Sequence, residues 1–248
     1  MSKWISGKVI TQREWAPGLF SIFVSAPIEP FIPGQFLQLS LDPSEKKLFR
    51  PFSFVNAPFE PVMEFYYNQV IGGNLTPLLS QCIADDHIWV APKAAGRFTL
   101  ADIPSSDVLW LFASGTGLGV FLSILKSDEP WQRFKSIVLI HTVRFANALT
   151  HLDLINGWRQ QYPNQFHWVP IVTRETYPEA FIDRVGVLLE ERQIENRVQL
   201  RLTPKNSQTM LCGNPDMIED VSSHLIRRGF LMNQGKQAGQ ITIENYWK

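Results

Sequence analysis

From residue 4 to about residue 92, apolar and polar positions alternate or cluster in short runs at 19–25, 35–41, 48–55, 63–70 and 87–90, with Pro and Gly between them. A period of two places successive side chains on opposite faces of a strand, and strands at this spacing predict a small antiparallel barrel or sandwich. Within this stretch only 75–83 reads as a helix. After about residue 100 the pattern becomes strand, glycine turn, helix, strand: an apolar run at 108–113, the turn Gly115-Thr-Gly-Leu-Gly119, a helix at 120–126 and a strand at 137–141. A helix at 152–161, a strand at 166–172, a helix at 185–192, a strand at 209–211 and a helix at 216–228 follow. Alternation of this kind predicts a doubly wound parallel sheet. Asp102-Ile-Pro-Ser-Ser-Asp107 breaks both patterns. Two domains are therefore expected, an antiparallel β-barrel over 1–101 and an α/β domain over 102–248.

Composition narrows what these domains do. With 248 residues, 45 % of them hydrophobic, the chain has enough apolar surface for real cores without disulfide or metal staples. Lys plus Arg and Asp plus Glu both number 23, so bulk charge argues against a nucleic acid or an anionic membrane as partner, and any anion must be recognised locally. The two cysteines, Cys82 and Cys212, are too few for a self-contained iron–sulfur cluster or a four-cysteine zinc site, and no metal is expected. Met1-Ser-Lys-Trp-Ile lacks a basic-then-apolar leader pattern, and no apolar run approaches the roughly 20 residues of a membrane span. The expected compartment is a reducing cytoplasm.

Five segments carry candidate chemistry. Arg50-Pro51-Phe52-Ser53-Phe54-Val55 offers a guanidinium, aromatic rings and a hydroxyl on one strand, with Arg50, Phe52 and Phe54 on one face and Pro51, Ser53 and Val55 on the other. A flat redox ring with a diphosphate tail needs such groups, although a Phe-rich strand is more often simply core. Gly72-Gly73-Asn74-Leu75-Thr76 reads either as a close-approach anion site at a helix start or as an ordinary turn capped by Asn74 or Thr76. Ala113-Ser-Gly-Thr-Gly-Leu-Gly119 lies between a strand and a helix, the context that makes a glycine turn credible as a nucleotide site. The strand after it ends in Arg144 rather than an acid, which suits a 2′-phosphate, and Thr173-Arg174 and Asp183-Arg184 add two further arginines. Leu211-Cys212-Gly213-Asn214-Pro215 reads as a strand-to-helix turn with Asn214 as cap and Pro215 opening the helix, and it sets a thiol at a sheet edge. Tyr246 and Trp247, two large aromatics near a chain end, are expected to dock on the protein or on a cofactor ring.

In this order and at this spacing, these segments resemble the bacterial flavodoxin/ferredoxin–NADP+ reductases, in particular the gammaproteobacterial type with a Tyr-Trp tail. The likeness runs from Trp4 and Gly7 through Pro33-Gly34-Gln35-Phe36, Arg50-Pro-Phe-Ser53, Ala94-Ala95-Gly96, Gly115-Thr116-Gly117 and Leu211-Cys-Gly-Asn-Pro215 to Tyr246-Trp247. The resemblance implies an FAD barrel and an NADP(H) domain. It assigns Arg50 to the FAD diphosphate, Ser53 to the flavin N5 region, and Pro51, Phe52, Tyr66 and Thr116 to the surroundings of the ring. Asn74, Leu75 and Thr76 fall where the family holds the pyrophosphate. Thr173 and the arginines Arg144, Arg174 and Arg184 fall at the nucleotide, with Arg144 alternatively over the FAD adenine beside the tail. Phe52 lacks the hydroxyl of the family's tyrosine. Lys248 extends past Trp247, where relatives often stop, and Gln234-Gly-Lys-Gln-Ala238 replaces a more basic stretch, lessening attraction for an acidic partner.

The implied reaction is hydride transfer from NADPH to flavin N5, followed by passage of single electrons to ferredoxin or flavodoxin. Ser53 and Cys212 are the expected catalytic residues, orienting the rings rather than acting as acid or base. A monomer is the family default. Two alternatives stay open at this level, a free-flavin or ferric reductase and a non-catalytic flavin-binding subunit. A reductase with its own iron–sulfur module is excluded by the cysteine count.

Overall fold

Residues 4–234 and 237–245 are described in this computed structural model. Packing divides them into two units, one made of the residues up to Leu100 together with Gly119–Ser127, the other of Ala101–Leu118 together with the residues from Asp128 onward. Among the described residues no helix is long and apolar enough to cross a membrane.

The first unit is an antiparallel sheet of β1 (Ile5–Ala16), β2 (Leu19–Ser25), β3 (Phe36–Ser40), β4 (Phe49–Ser53), β5 (Met63–Asn68) and β6 (His87–Val90) in the order β4-β3-β6-β1-β2-β5. A Phe54–Phe65 bridge and a bond from the Val55 N–H to the Glu64 carbonyl (2.9 Å) join the two outer strands and close the sheet on itself. Closure removes the exposed edges that an open sheet presents for wrong pairing. Its interior is filled by Ile22, Val24, Leu37, Leu39, Phe54, Phe65, Ile88 and Val90, all at 0 % exposure.

The long strand β1 is absent from the sequence reading because only Gly7 and Val9 are fully buried in it and two bulges shift its phase, between Val9 and Thr11 and between Glu14 and Ala16. A bulge moves every later side chain to the other face, so simple alternation fails. The helix expected at 75–83 is a single turn, α1 (Thr76–Leu79). It stops because the Gln12 amide takes the Ser80 and Cys82 carbonyls, at 2.8 and 3.3 Å, and draws the chain back to the barrel.

The second unit is a parallel sheet of β7 (Val108–Ser114), β8 (Ser136–Val143), β9 (Phe166–Val172), β10 (Ser207–Gly213) and β11 (Ile241–Asn245), in the order β11-β10-β7-β8-β9. The connecting helices are α2 (Leu118–Leu125), α3 (Glu129–Arg133), α4 (Leu152–Gln161), α5 (Val185–Glu190), α6 (Gln193–Val198) and α7 (Pro215–Arg227). Residues of α5, α6 and α7 share one core with Trp110, Phe112, Ile140 and Ile171 of the sheet. On the opposite face Phe166 of β9 meets Trp158 of α4, ring centroids 5.9 Å apart. Central strands buried on both faces read as continuous apolar runs, which is why β7, β8 and β9 stand out in the sequence. From Gly119 onward α2 packs with the barrel: the Ser123 hydroxyl donates to the Asn56 carbonyl at 2.8 Å, and Lys126 pairs with Glu60 at 3.0 Å.

Candidate functional site

The strand order of the parallel sheet reverses between β7 and β10: the chain runs outward from β7 to β8 and β9, then returns to place β10 on the other side of β7. In such sheets the crevice beyond the carboxyl ends of the two central strands is where ligands bind. Both turns at that crevice depend on glycine at the positions of closest approach. Gly115–Gly117 forms one 3-10 turn, with Gly115 at φ +53°. A Cβ on Gly117 would collide with the Cys212 carbonyl oxygen, and Gly213, at φ +130°, leaves its Cβ position to the Ser114 side chain. The Ser114 hydroxyl accepts from the Asn214 N–H at 2.6 Å, which ties one turn to the other. Asn214 caps α7, its side-chain oxygen accepting from the Asp216 N–H at 2.7 Å, and Pro215 opens the helix as the sequence predicts.

Cys212 is the penultimate residue of β10, in register with Ala113 of β7 and Glu244 of β11, and its exposure is 0 %. The thiol thus stands at the carboxyl end of a central strand but beneath its surface. Thr116 is buried within the glycine turn. Ser114, which couples the two turns, carries no signal of its own in the sequence beyond its place before Gly115.

Arg144 follows β8 directly and Arg174 follows β9 after Thr173. Because these strands are neighbours, the Arg174 N–H donates to the Arg144 carbonyl (3.0 Å) and the Thr173 N–H to the Val143 carbonyl (3.0 Å). Both arginines are exposed, and among the described residues neither guanidinium has a partner. Arg184 does not follow a strand end. It is the residue before α5, also exposed. The structure therefore joins two of the three expected arginines through their backbones and sets the third at a helix start.

In the barrel, the Phe54–Phe65 bridge puts Ser53 opposite Tyr66 and Phe52 opposite Tyr67 across the closing seam. Phe52 points inward and is wedged edge-on against Phe65 and Tyr67, with ring centroids 6.4 and 5.9 Å away, so core packing accounts for its 8 % exposure. Ser53 and Tyr66 share the other face. Val55 lies on that face too, and Gly119 at the start of α2 fits against it: a Cβ there would stand 3.1 Å from Val55 Cγ2 and 3.5 Å from Tyr66 Cβ. Among the described residues the half-buried Ser53 hydroxyl has no hydrogen-bond partner. Arg50 and Pro51 are exposed at the strand's outer end, and the Arg50 guanidinium donates to the Phe49 and Lys46 carbonyls, at 2.7 and 3.3 Å, with no carboxylate paired to it among the described residues.

The loop after β5 holds the second glycine pair. Gly72 has φ +73° and open space where a Cβ would lie. Neither Asn74 nor Thr76 caps the short helix: position 75 precedes it without a side-chain bond, and the Thr76 hydroxyl instead accepts from the Val70 N–H at 2.9 Å. Asn74 is exposed and Leu75 is buried. Tyr246 and Trp247 lie outside the described residues.

A family model for the oxidoreductase NAD-binding domain matches residues 111–223, which contain the glycine turn and the two joined arginines. The flavodoxin/ferredoxin–NADP reductase of Buchnera aphidicola subsp. Baizongia pistaciae is 39 % identical over 249 residues, covering all of both chains. The flavodoxin/ferredoxin–NADP reductase of Escherichia coli is 36 % identical over 248 residues, again covering all of both. Among solved structures, the ferredoxin NADP+ reductase of Neisseria gonorrhoeae with bound FAD and NADP superposes with a TM-score of 0.92 at 29 % identity, over the full length of each chain. With likeness of this extent joined to a closed antiparallel barrel and a parallel sheet whose switch point is lined by glycine turns, the chain belongs to the flavodoxin/ferredoxin–NADP reductase family.

Proposed function

We propose that this protein is an FAD-dependent reductase that takes a hydride from NADPH and delivers single electrons to ferredoxin or flavodoxin, acting as a monomer in the cytoplasm. The observation that carries the reading is the pair of interlocked glycine turns at the switch point of the parallel sheet, with two arginines beyond the neighbouring strand ends that have no partner among the described residues. In the barrel, the residues present fit FAD: an exposed guanidinium with no counter-ion and a hydroxyl with no partner among the described residues, and an open left-handed glycine at the next loop, are what a diphosphate and a flavin ring would fill. Bound FAD supplies the conversion of a two-electron donor into a one-electron source.

Each residue then has a stated task. Arg50, with the 72–76 loop including Asn74, Leu75 and Thr76, binds the diphosphate. Ser53 and Tyr66, on the outer face of the seam, border the ring, with Ser53 donating a hydrogen bond toward it. Phe52 holds β4 to the core from behind and Pro51 keeps the strand extended. On the parallel-sheet unit, Thr116 and the Gly115–Gly117 backbone receive the nucleotide, Cys212 orients the nicotinamide, and Arg144, Thr173 and Arg174 take the 2′-phosphate, with Arg184 a more distant contributor. A bidentate guanidinium–phosphate contact discriminates NADPH from NADH because NADH offers only a ribose hydroxyl there.

The test is substitution of the joined arginines. Arg144→Ala and Arg174→Ala should each raise the KM for NADPH about tenfold or more while leaving that for NADH within about twofold, the size expected for losing one charge-assisted contact. Equal losses for both nucleotides would refute the 2′-phosphate assignment.

A further inference from the structure

Near the carboxyl end of β8 lies a buried imidazole in a place where an apolar side chain would pack at lower cost. His141 is at 0 % exposure, in register with Ala113 of β7, and its Nε2 stands 3.2 Å from the Gly115 carbonyl oxygen. A carbonyl oxygen only accepts, so Nε2 carries the proton. Burial holds the ring well below its ordinary value of 6.5, to about 4, with the bond to Gly115 opposing and the nearby His151 acting in the same direction as burial. The ring is therefore neutral and Nδ1 is bare. Nδ1 is sealed from solvent and has no hydrogen-bond partner among the described residues, a situation that folded proteins rarely tolerate without a compensating role for the rest of the group. The compensating contact goes to Gly115, the residue that enters the nucleotide turn in the left-handed region and whose carbonyl also receives the Leu118 N–H.

Resting on the reading of this unit as the NADPH-binding one, we infer that His141 is a positioning residue for the pyridine nucleotide: its Nε2–H, donated to the Gly115 carbonyl, fixes the peptide plane between Gly115 and Thr116 and so sets the turn's backbone for the ligand. The turn has two anchors, Ser114 to Asn214 on the β10 side and Gly115 to His141 on the β8 side. Because the backbone of the turn bears no relation to the 2′-phosphate, its loosening weakens NADPH and NADH alike, unlike loss of Arg144 or Arg174.

Two variants and one spectroscopic measurement test this. His141→Leu removes the donor at similar volume, while His141→Gln keeps an N–H within reach of the carbonyl. The expected result for His141→Leu is a KM raised about five- to tenfold for both NADPH and NADH, an equal weakening of NADP+ binding by calorimetry, and unchanged kcat and flavin content, with His141→Gln restoring most of the loss. A His141→Leu protein that binds NADP+ like the wild type, a His141→Gln protein no better than His141→Leu, or a joint fall in kcat, flavin content and affinity would each overturn the inference. Should neither variant fold, imidazole nitrogen NMR of the wild-type protein decides: His141 must be the Nε2–H tautomer at pH 7 with a signal that moves on addition of NADP+, and the other tautomer or an indifferent signal overturns the role. If the wild-type protein fails to bind NADP+ at all, the reading of the unit has failed; if it binds and only the variants are unremarkable, the role of His141 has.

Discussion

At the scale of single residues, positions that tolerate no β-carbon contrast with one that would welcome it. Gly117→Ala forces a methyl into the Cys212 carbonyl, a backbone obstacle that cannot rotate away, and should cost roughly 1–3 kcal/mol in urea unfolding together with nucleotide affinity. Gly157, exposed in the interior of α4 with nothing within 4 Å of its Cβ direction, is the converse. Gly157→Ala should stabilise the protein by about 0.5–1 kcal/mol without touching activity, since it only removes unfolded-state freedom. His141 supplies a pH dependence of definite sign. Its folded value of about 4 lies below the 6.5 of the unfolded chain, so between those limits the unfolded chain binds more protons and stability falls as pH drops from 6.5 toward 4. The loss is on the order of 3 kcal/mol at most, and His141→Gln should flatten that part of the stability–pH curve measured by urea unfolding. Of these residues Gly117 is legible in the sequence, because a glycine-rich turn between an apolar strand and a helix has a physical meaning on its own, whereas Gly157 inside a helical stretch carries no such signal. His141 is not legible either, because an imidazole ending an apolar run looks the same whether or not it meets a carbonyl.

Secondary-structure elements were legible where burial imposes one period. Strands β7, β8 and β9 are continuous apolar runs, and α7 shows its cap and proline as the sequence predicts, so Asn214→Ala should cost about 1 kcal/mol of stability by leaving the Asp216 N–H unmet. Elements hidden from the sequence fail for identifiable reasons: β1 is bulged and mostly polar, α1 is cut short by the Gln12 side chain, and β11 is a five-residue strand whose place is set by pairing with β10. Another hidden feature binds elements together. Glu195 of α6, its side chain 1 % exposed, receives both amino groups of Arg228 at 2.9 Å, while Arg228 also donates to the Leu202 carbonyl at 2.7 Å. Burial alone would raise the Glu195 carboxyl, but the hydrogen bonds from Arg228 and the Leu202 N–H, with the charges of Arg228 and Arg192, outweigh it and hold the group below its ordinary value. Removing one partner strands the other, so Arg228→Met should destabilise the parallel-sheet unit by about 3 kcal/mol, read as a lower urea midpoint at unchanged slope.

For the whole molecule, the change of grammar near residue 100 separated an alternating half from a strand–turn–helix half, because an antiparallel barrel and a parallel sheet bury their strands differently. The pattern of runs and turns places the glycine turn after β7, Arg144 after β8 and Arg174 after β9, whereas Arg184 precedes α5 instead of ending a strand. The period of two separates Phe52 from Ser53 on β4 but leaves open which of them faces the core; the structure turns Phe52 inward and sets Ser53 on the outer face with Tyr66. That distinction depends on where the closing bridge falls, which no local pattern reveals.

The central claim is that one unit retains a flavin and the other presents NADPH to it in preference to NADH. The most direct test is the absorbance spectrum of the purified protein in air, followed by anaerobic addition of NADPH and, separately, NADH. The account predicts a yellow protein whose flavin bands bleach rapidly with NADPH and slowly with NADH. A colourless protein that neither binds added FAD nor oxidises NADPH would contradict it.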